Sequence, residues 1–246
     1  MKILFSPSET KIKGGENKLL DTNSFIFPDL FQERINVINL YQDFINKATN
    51  KELEKLFGTA KQEVIDYYKG NILEKEIMKV IERYDGVAFD YLKYSTLKQN
   101  EKSYIDKNVL IFSNLFGPVL AGDIGLPDYK LKQNEKIGNF QLEKFYNEKF
   151  TNKLNEFLED EEIIDLRAGF YEKFYKIEKP YFTMKFMKDG KVVSHWAKAY
   201  RGIILNLMAK NNIQNIKDLM NMEVENLSIE EIKKQKTKTE IVYNIK

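Results

Sequence analysis

The run Val109-Leu110-Ile111-Phe112-Ser113-Asn114-Leu115-Phe116-Gly117 limits the folds open to this chain more than any other stretch. It is apolar on both faces of an extended strand, so both faces need cover. That is the pattern of a strand in the middle of a sheet packed between helices. Residues 2–5 and Ile163-Ile164-Asp165-Leu166-Arg167 read as shorter buried strands of the same kind. All three end in polar loops, and open sheets bind ligands beyond the carboxyl ends of their strands.

The loop after residues 2–5 reads Ser6-Pro7-Ser8-Glu9-Thr10-Lys11, then Lys13-Gly14-Gly15. Ser-Pro turns are common, and the spacing of a phosphate-binding P-loop is missing. The loop after Val109–Gly117 holds Gly117, Pro118, Gly122, Asp123, Gly125 and Pro127, with Tyr129-Lys130-Leu131 following as an expected strand. Such long irregular loops are more often functional than filler. The third strand closes on Asp165 and Arg167, which share a face.

Between the strands the pattern is helical. Residues 28–48 present one apolar face, with Pro28 near the first turn. Residues 51–57 and 60–69 are expected as helices, with Asn50 capping the first and Gly58-Thr59 between them. With Lys55 and Lys61 flanking, the 51–69 element fits a helix-hairpin-helix offering backbone N–H groups to a DNA phosphate; the commoner reading is two helices that simply pack. Helices are also expected over 74–84, 92–107, 140–158, 170–176 and 213–220, and a connection or strand over 86–89. A hairpin joins 180–188 to 191–195 through Asp189-Gly190. The end carries a basic run, Lys233, Lys234, Lys236 and Lys238, then an expected edge strand over 240–243. No repeat or Pro/Ser-rich linker divides the chain. The expectation is one α/β domain over 1–246: a central, mostly buried sheet flanked by helices, with a C-terminal hairpin.

With 39 basic and 37 acidic residues the net charge is +2, so a polyanion-binding surface would need local segregation of Lys. The absence of Cys excludes disulfides, thiolate metal sites and thiol catalysis, and one His excludes a multi-histidine centre within one chain. No metal or cofactor is expected. No segment reads as a signal peptide or membrane span, so the expectation is a cytoplasmic protein without a membrane partner.

Only four of the basic residues are Arg: Arg34, Arg83, Arg167 and Arg201. Arg in so Lys-rich a chain suggests two-pronged contacts that Lys cannot make. Arg201 follows Lys198 by three residues, at the expected junction of a strand over 191–195 and an apolar helix over 202–208. Two cations at a helix start suit an anion, although a solvated basic turn has the same spacing. His195, beside Trp196, reads as a partly buried hydrogen-bonded residue rather than a catalyst.

Several of these segments together resemble the YaaA family of bacterial peroxide-stress proteins. The resemblance rests on residues 3–11, on Ser113-Asn114-Leu115-Phe116-Gly117 with Asp123, Pro127, Tyr129 and Lys130, and on Thr151-Asn152-Lys153-Leu154-Asn155. It also rests on Asp165-Leu166-Arg167 with Tyr171, and on Ala197-Lys198-Ala199-Tyr200-Arg201-Gly202. It implies a single α/β fold, a cytoplasmic role in limiting oxidative damage linked to lower free iron, and DNA binding through a positively charged cleft and a helix-hairpin-helix. Glu9 stands where many members have Lys.

The function expected is therefore a peroxide-stress protein binding DNA phosphates, without sequence preference, through Ser6, Lys11, Lys130, Arg167, Lys198 and Arg201 gathered in one cleft. Ser8, Thr10, Asp123, Asp165 and Tyr171 would support it, and Lys55, Gly58, Thr59 and Lys61 would add the hairpin contact. The alternative is an enzyme acting on a nucleotide or nucleoside in the same anion site, with Asp123 or Asp165 as base. No recognised catalytic constellation settles whether the protein is an enzyme. A hollow sized for one nucleotide favours the alternative; an open basic groove favours DNA. The sequence does not specify an oligomeric state.

Overall fold

The computed structural model describes the backbone of residues 1–246 and every side chain except those of Ser194 and His195, so the expectation for His195 lies outside the described residues. The chain begins with β1 (Lys2–Phe5), whose Ile3, Leu4 and Phe5 are buried. A long loop and a short 3-10 turn lead into α1 (Phe31–Lys47). α2 (Asn50–Phe57) is capped by Thr49, which forms a reciprocal capping box with Glu52, so the cap lies one residue before the expected Asn50. Gly58, at φ 66°, ends that helix before α3 (Gln62–Tyr68). Next come β2 (Ile77–Met78), α4 (Val80–Arg83), α5 (Val87–Leu92) and α6 (Gln99–Asn108). β3 (Val109–Ser113), β4 (Gly117–Leu120) and β5 (Leu126–Pro127) precede α7 (Leu142–Leu158). The last part holds β6 (Ile163–Asp165), β7 (Tyr181–Lys188), β8 (Lys191–Val192), α8 (Ser194–Lys210), α9 (Ile216–Asn221), β9 (Leu227–Gln235) and β10 (Lys238–Ile245).

Eight strands form one mixed sheet in the order β4-β3-β1-β6-β7-β10-β9, with β8 paired to β7. The inner strands β3, β1, β6, β7 and β10 are parallel, while β4 and β9 are antiparallel edges. Every residue of β3 and β6 is buried, as parallel strands covered on both faces must be. From β1 the chain places β3 on one side and β6 on the other, so the crevice beyond the carboxyl ends of β1 and β6 lies where the winding reverses. The result is a single α/β domain with helices flanking its sheet. Among the described residues, no helix is long and apolar enough to cross a membrane.

Several local expectations are corrected. The helix expected over 74–84 is interrupted, because Ile77 bridges Glu16 and β2 pairs with β5. Residues 86–89 open α5 rather than a strand. Tyr129 to Leu131 lie outside any strand; the buried Tyr129 hydroxyl instead shares a 2.7 Å hydrogen bond with Ser113 Oγ. The hairpin arm after Gly190 is only two residues long and α8 starts at Ser194. Lys198 and Arg201 therefore sit in the body of a helix whose backbone N–H groups at those positions are used internally. At the chain's end the basic run itself is the edge strand, and the 240–243 segment expected at the edge lies inside the sheet.

Candidate functional site

The crevice beyond β1 and β6 holds a half-open hollow of about 410 Å³. Its first wall is the loop leaving β1. Ser6 Oγ accepts a 2.7 Å hydrogen bond from the Ala168 N–H, tying that loop to the one leaving β6. Ser8 Oγ and Thr10 Oγ1 are 3.1 Å apart, and Thr10 Oγ1 donates to the Asp85 carbonyl at 2.8 Å. Gly86 passes so close that a Cβ there would stand 2.8 Å from Ser8 Oγ, and its φ of 120° disfavours a side chain in any case. At the rim Glu9 Oε1 accepts from the Gln133 N–H at 2.9 Å. Phe5, Phe89 and Leu166 give the lining an apolar side.

The opposite wall is α8, which brings Lys198 and Arg201 to the hollow. This helix approaches α5 closely because Gly202 has no side chain: a Cβ there would collide with the Ala88 carbonyl. Lys198 is exposed and Arg201 half-buried. Burial lowers the pKa of Arg201, and the carboxylates of Asp165 and Glu172 oppose the shift. Its Nε is buried and has no hydrogen-bond partner among the described residues.

The other three Arg serve the fold. Arg34 donates to the carbonyls of Phe116, Ile26 and Pro118 at 2.6, 2.7 and 3.0 Å. Arg83 donates to those of Leu126 and Glu76 at 3.0 and 2.9 Å, and to that of Ile12. Arg167, expected in the cleft, does not line the hollow. It is buried against Phe112, grips both oxygens of Asp165 at 2.8 Å, and donates to the carbonyls of Tyr171 and Tyr175 at 3.1 and 3.0 Å. A guanidinium so engaged holds the loop after β6 in shape.

Of the residues expected from sequence, Ser6, Ser8, Thr10, Tyr171, Lys198 and Arg201 come together around the hollow. Lys11 stands behind the same loop. Its ammonium lies 3.9 Å from the Tyr129 ring centre and donates to the carbonyls of Ser8 and Glu9 at 3.4 and 3.3 Å. Burial pulls its pKa down to about 7; Asp128 opposes that shift and Lys130 adds to it. Lys130 is half-buried and outside the lining, its carbonyl accepting from Tyr41 Oη at 2.8 Å. Asp123 is also elsewhere. It clamps the N–H groups of Ile26 and Leu120 at 2.9 and 2.8 Å, and burial pushes its pKa up to about 6. Asp165 is occupied by Arg167.

In the 51–69 element three of the turn's donors are used internally. The Gly58 and Thr59 N–H groups bond to the carbonyls of Lys55 and Glu54, and the Lys61 N–H to Thr59 Oγ1. The side chain of Lys55 reaches Glu135 at 3.8 Å. Sequence reasoning did not include Glu9, Gln133 or the Gly86–Phe89 segment in the site. The glycine after Asp85 was the one local signal for that segment.

Chemically, the hollow brings together two cations, the Glu9 carboxylate, four hydroxyl-bearing residues and an apolar side. Among the described residues no group of three His, Asp or Glu is placed to hold a metal. The family model described as "Peroxide stress protein YaaA" matches residues 1–233. A Campylobacter jejuni protein described as uncharacterized is 48% identical over 245 residues, covering 100% of this chain and 99% of the relative. A UPF0246 protein of Malacoplasma penetrans is 32% identical over 234 residues, 89% of this chain and 91% of its own. One from Fusobacterium nucleatum is 27% identical over 242 residues, 93% of each.

Proposed function

The chain belongs to the YaaA family of peroxide stress proteins, and from that premise we propose that it serves the peroxide response in the cytoplasm by holding one phosphate-bearing molecule of nucleotide size in the hollow beyond β1 and β6. The Arg201 guanidinium carries this reading. The half-buried guanidinium lines the hollow and makes no hydrogen bond or ion pair to any described residue, so an anionic oxygen there would meet an uncompensated cation. Arg34, by contrast, spends its guanidinium on three carbonyls and does not line this hollow. Lys198 supplies a second charge at the rim. Ser6, Ser8 and Thr10 offer hydroxyls, and the part-exposed Val87 and Ala88 an apolar side. The volume falls in the range of about 300–1,000 Å³ common for small-molecule sites. Turnover of that nucleotide is the finer form of the proposal, and Glu9 is the carboxylate best placed to take part.

A second reading, binding to duplex DNA phosphates, draws support from a different place. The exposed Tyr67 ring on α3 is flanked by Lys13 and Lys75, with their ammonium groups 4.3 and 4.2 Å from its centre. Two ammonium groups held that close together suit a phosphate backbone.

The test is a titration of adenosine monophosphate, inorganic phosphate and duplex DNA at two salt concentrations, with wild type and Arg201→Ala. Loss of a charge-assisted bond, about 1.5–3 kcal/mol, should weaken nucleotide binding about 10- to 150-fold. If the variant holds the nucleotide as well as wild type, or neither nucleotide nor phosphate binds, the small-ligand reading is lost. Duplex affinity that falls steeply with salt and survives Arg201→Ala supports the second reading.

A further inference from the structure

β9 is the outer edge of the eight-stranded sheet. β10 pairs with its inner side, and no strand among the described residues pairs with its outer side. Every residue from Ile229 to Gln235 is exposed, so the strand projects beyond the helical cover on both faces. A long edge with unpaired N–H and C=O groups is a template for another strand. Ile229 and Ile232 leave 41% and 45% of their surface open there.

The strand's sequence indicates what the edge accepts. In Glu230-Glu231-Ile232-Lys233-Lys234 the two acids and the two bases stand at equal distances on either side of Ile232. When two such strands run antiparallel and cross at Ile232, Glu231 faces Lys233 of the second copy, Glu230 faces Lys234, and Ile232 faces itself. Glu231 and Lys233 already share a face, with their charged atoms 3.1 Å apart within one chain. A parallel, in-register pairing would set Glu on Glu and Lys on Lys, which is destabilising. An edge guarded by Lys alone would repel every copy, whereas this edge favours one alignment.

We propose that two copies of this chain associate through β9, antiparallel about a two-fold axis at Ile232, joining their sheets into one. The β9–β10 register shifts between Val242 and Tyr243, leaving Glu230 as the extra residue of a bulge. The strand bends there, so regular pairing runs from Glu231 to Lys233, with Glu230 and Lys234 as flanking charges. So short a contact makes a dimer that forms with rising concentration rather than a permanent one. The proposal is independent of the ligand reading, since β9 does not line the hollow.

Sedimentation velocity from low micromolar to several hundred micromolar protein tests it. Two variants are compared with wild type: Glu230→Lys with Glu231→Lys, and Lys233→Glu with Lys234→Glu. All four positions are exposed, and thermal melts check that each variant folds. The wild type should move towards twice the 29.1 kDa monomer mass. Each variant alone should stay at the monomer mass, and their equimolar mixture should pair one to one. The proposal is overturned by a wild type that stays monomeric throughout, by variants that still self-associate, or by a mixture that does not pair.

Discussion

Replacing Gly202 by Ala tests how closely the cationic wall of the hollow is held against the α5 wall. A Cβ at Gly202 would collide with the Ala88 carbonyl oxygen and stand 3.0 Å from the Ala88 carbonyl carbon and from Leu92 N. All three atoms are backbone, so no rotamer change relieves the overlap. Carbon contacts are optimal at about 3.5–4.0 Å, so α8 and α5 must part by about 1 Å. Overpacking of this kind costs about 1–3 kcal/mol, and rigid opposing atoms place this case at the upper end. Alanine returns about 1 kcal/mol through helix propensity, leaving a net loss of about 2 kcal/mol. For a chain of this length that lowers the Tm by about 4–8 °C. Because Arg201 precedes Gly202 and Ala88 lines the hollow, the same displacement widens the site. Charge-assisted bonds are made at about 2.7–2.9 Å, so a 1 Å retreat should cost adenosine monophosphate about tenfold in affinity. Scanning calorimetry and titration read the two effects. A variant that melts at or above the wild-type temperature would refute the backbone contact, since helix propensity would then be acting alone.

Three further outcomes follow from the packing. Asp165→Asn leaves Arg167 buried without its counter-charge and should cost about 3–5 kcal/mol in urea unfolding, most of it recovered when Arg167→Met is added; a cost below about 1 kcal/mol would mean the pair is not the buried brace described. Thr49→Ala removes the side-chain half of the capping box on α2, for a loss of about 1 kcal/mol, seen as a Tm lower by about 2–4 °C. Lys11 has a folded pKa near 7 against an ordinary value of 10.5, so between those values the unfolded chain binds more protons than the folded one. Stability from this group therefore rises with pH across that window and is complete above it. Wild-type stability measured relative to Lys11→Met should climb between about pH 7 and 9, and a flat difference would show an ordinary lysine.

The buried strands were legible because cover on both faces leaves an unbroken apolar run, as in Val109 to Ser113. The convergence of part of the candidate site on one hollow was legible for a topological reason: Ser6, Ser8, Thr10 and Tyr171 follow strands whose carboxyl ends share one edge. Features decided by distant partners were not. Ile77-Met78 looks helical until Leu126-Pro127, far along the chain, pairs with it. Arg167 looks available until the carbonyls of Tyr171 and Tyr175 close around it. The start of α8 was masked by Val192-Val193, β-branched residues that favour extended backbone and lengthened the expected strand to His195. In the last hairpin, alternating charge marked β9 as solvent-facing. Which strand lay outermost depended on β10 pairing with β7, which no local pattern encodes.

The position of β1 bears on how the chain is made. Its partners are Val109–Ile111 on one side and Ile163–Asp165 on the other, both synthesised much later. On the ribosome, Ile3, Leu4 and Phe5 must wait as an apolar segment with no strand neighbour until Val109–Ile111 has emerged, and with only one until Ile163–Asp165 follows. Loop closure over such separations is slow, and exposed strands of this kind invite aggregation. Yield in a cell should therefore depend on chaperones that shield the β1 segment of the nascent chain until its partners arrive.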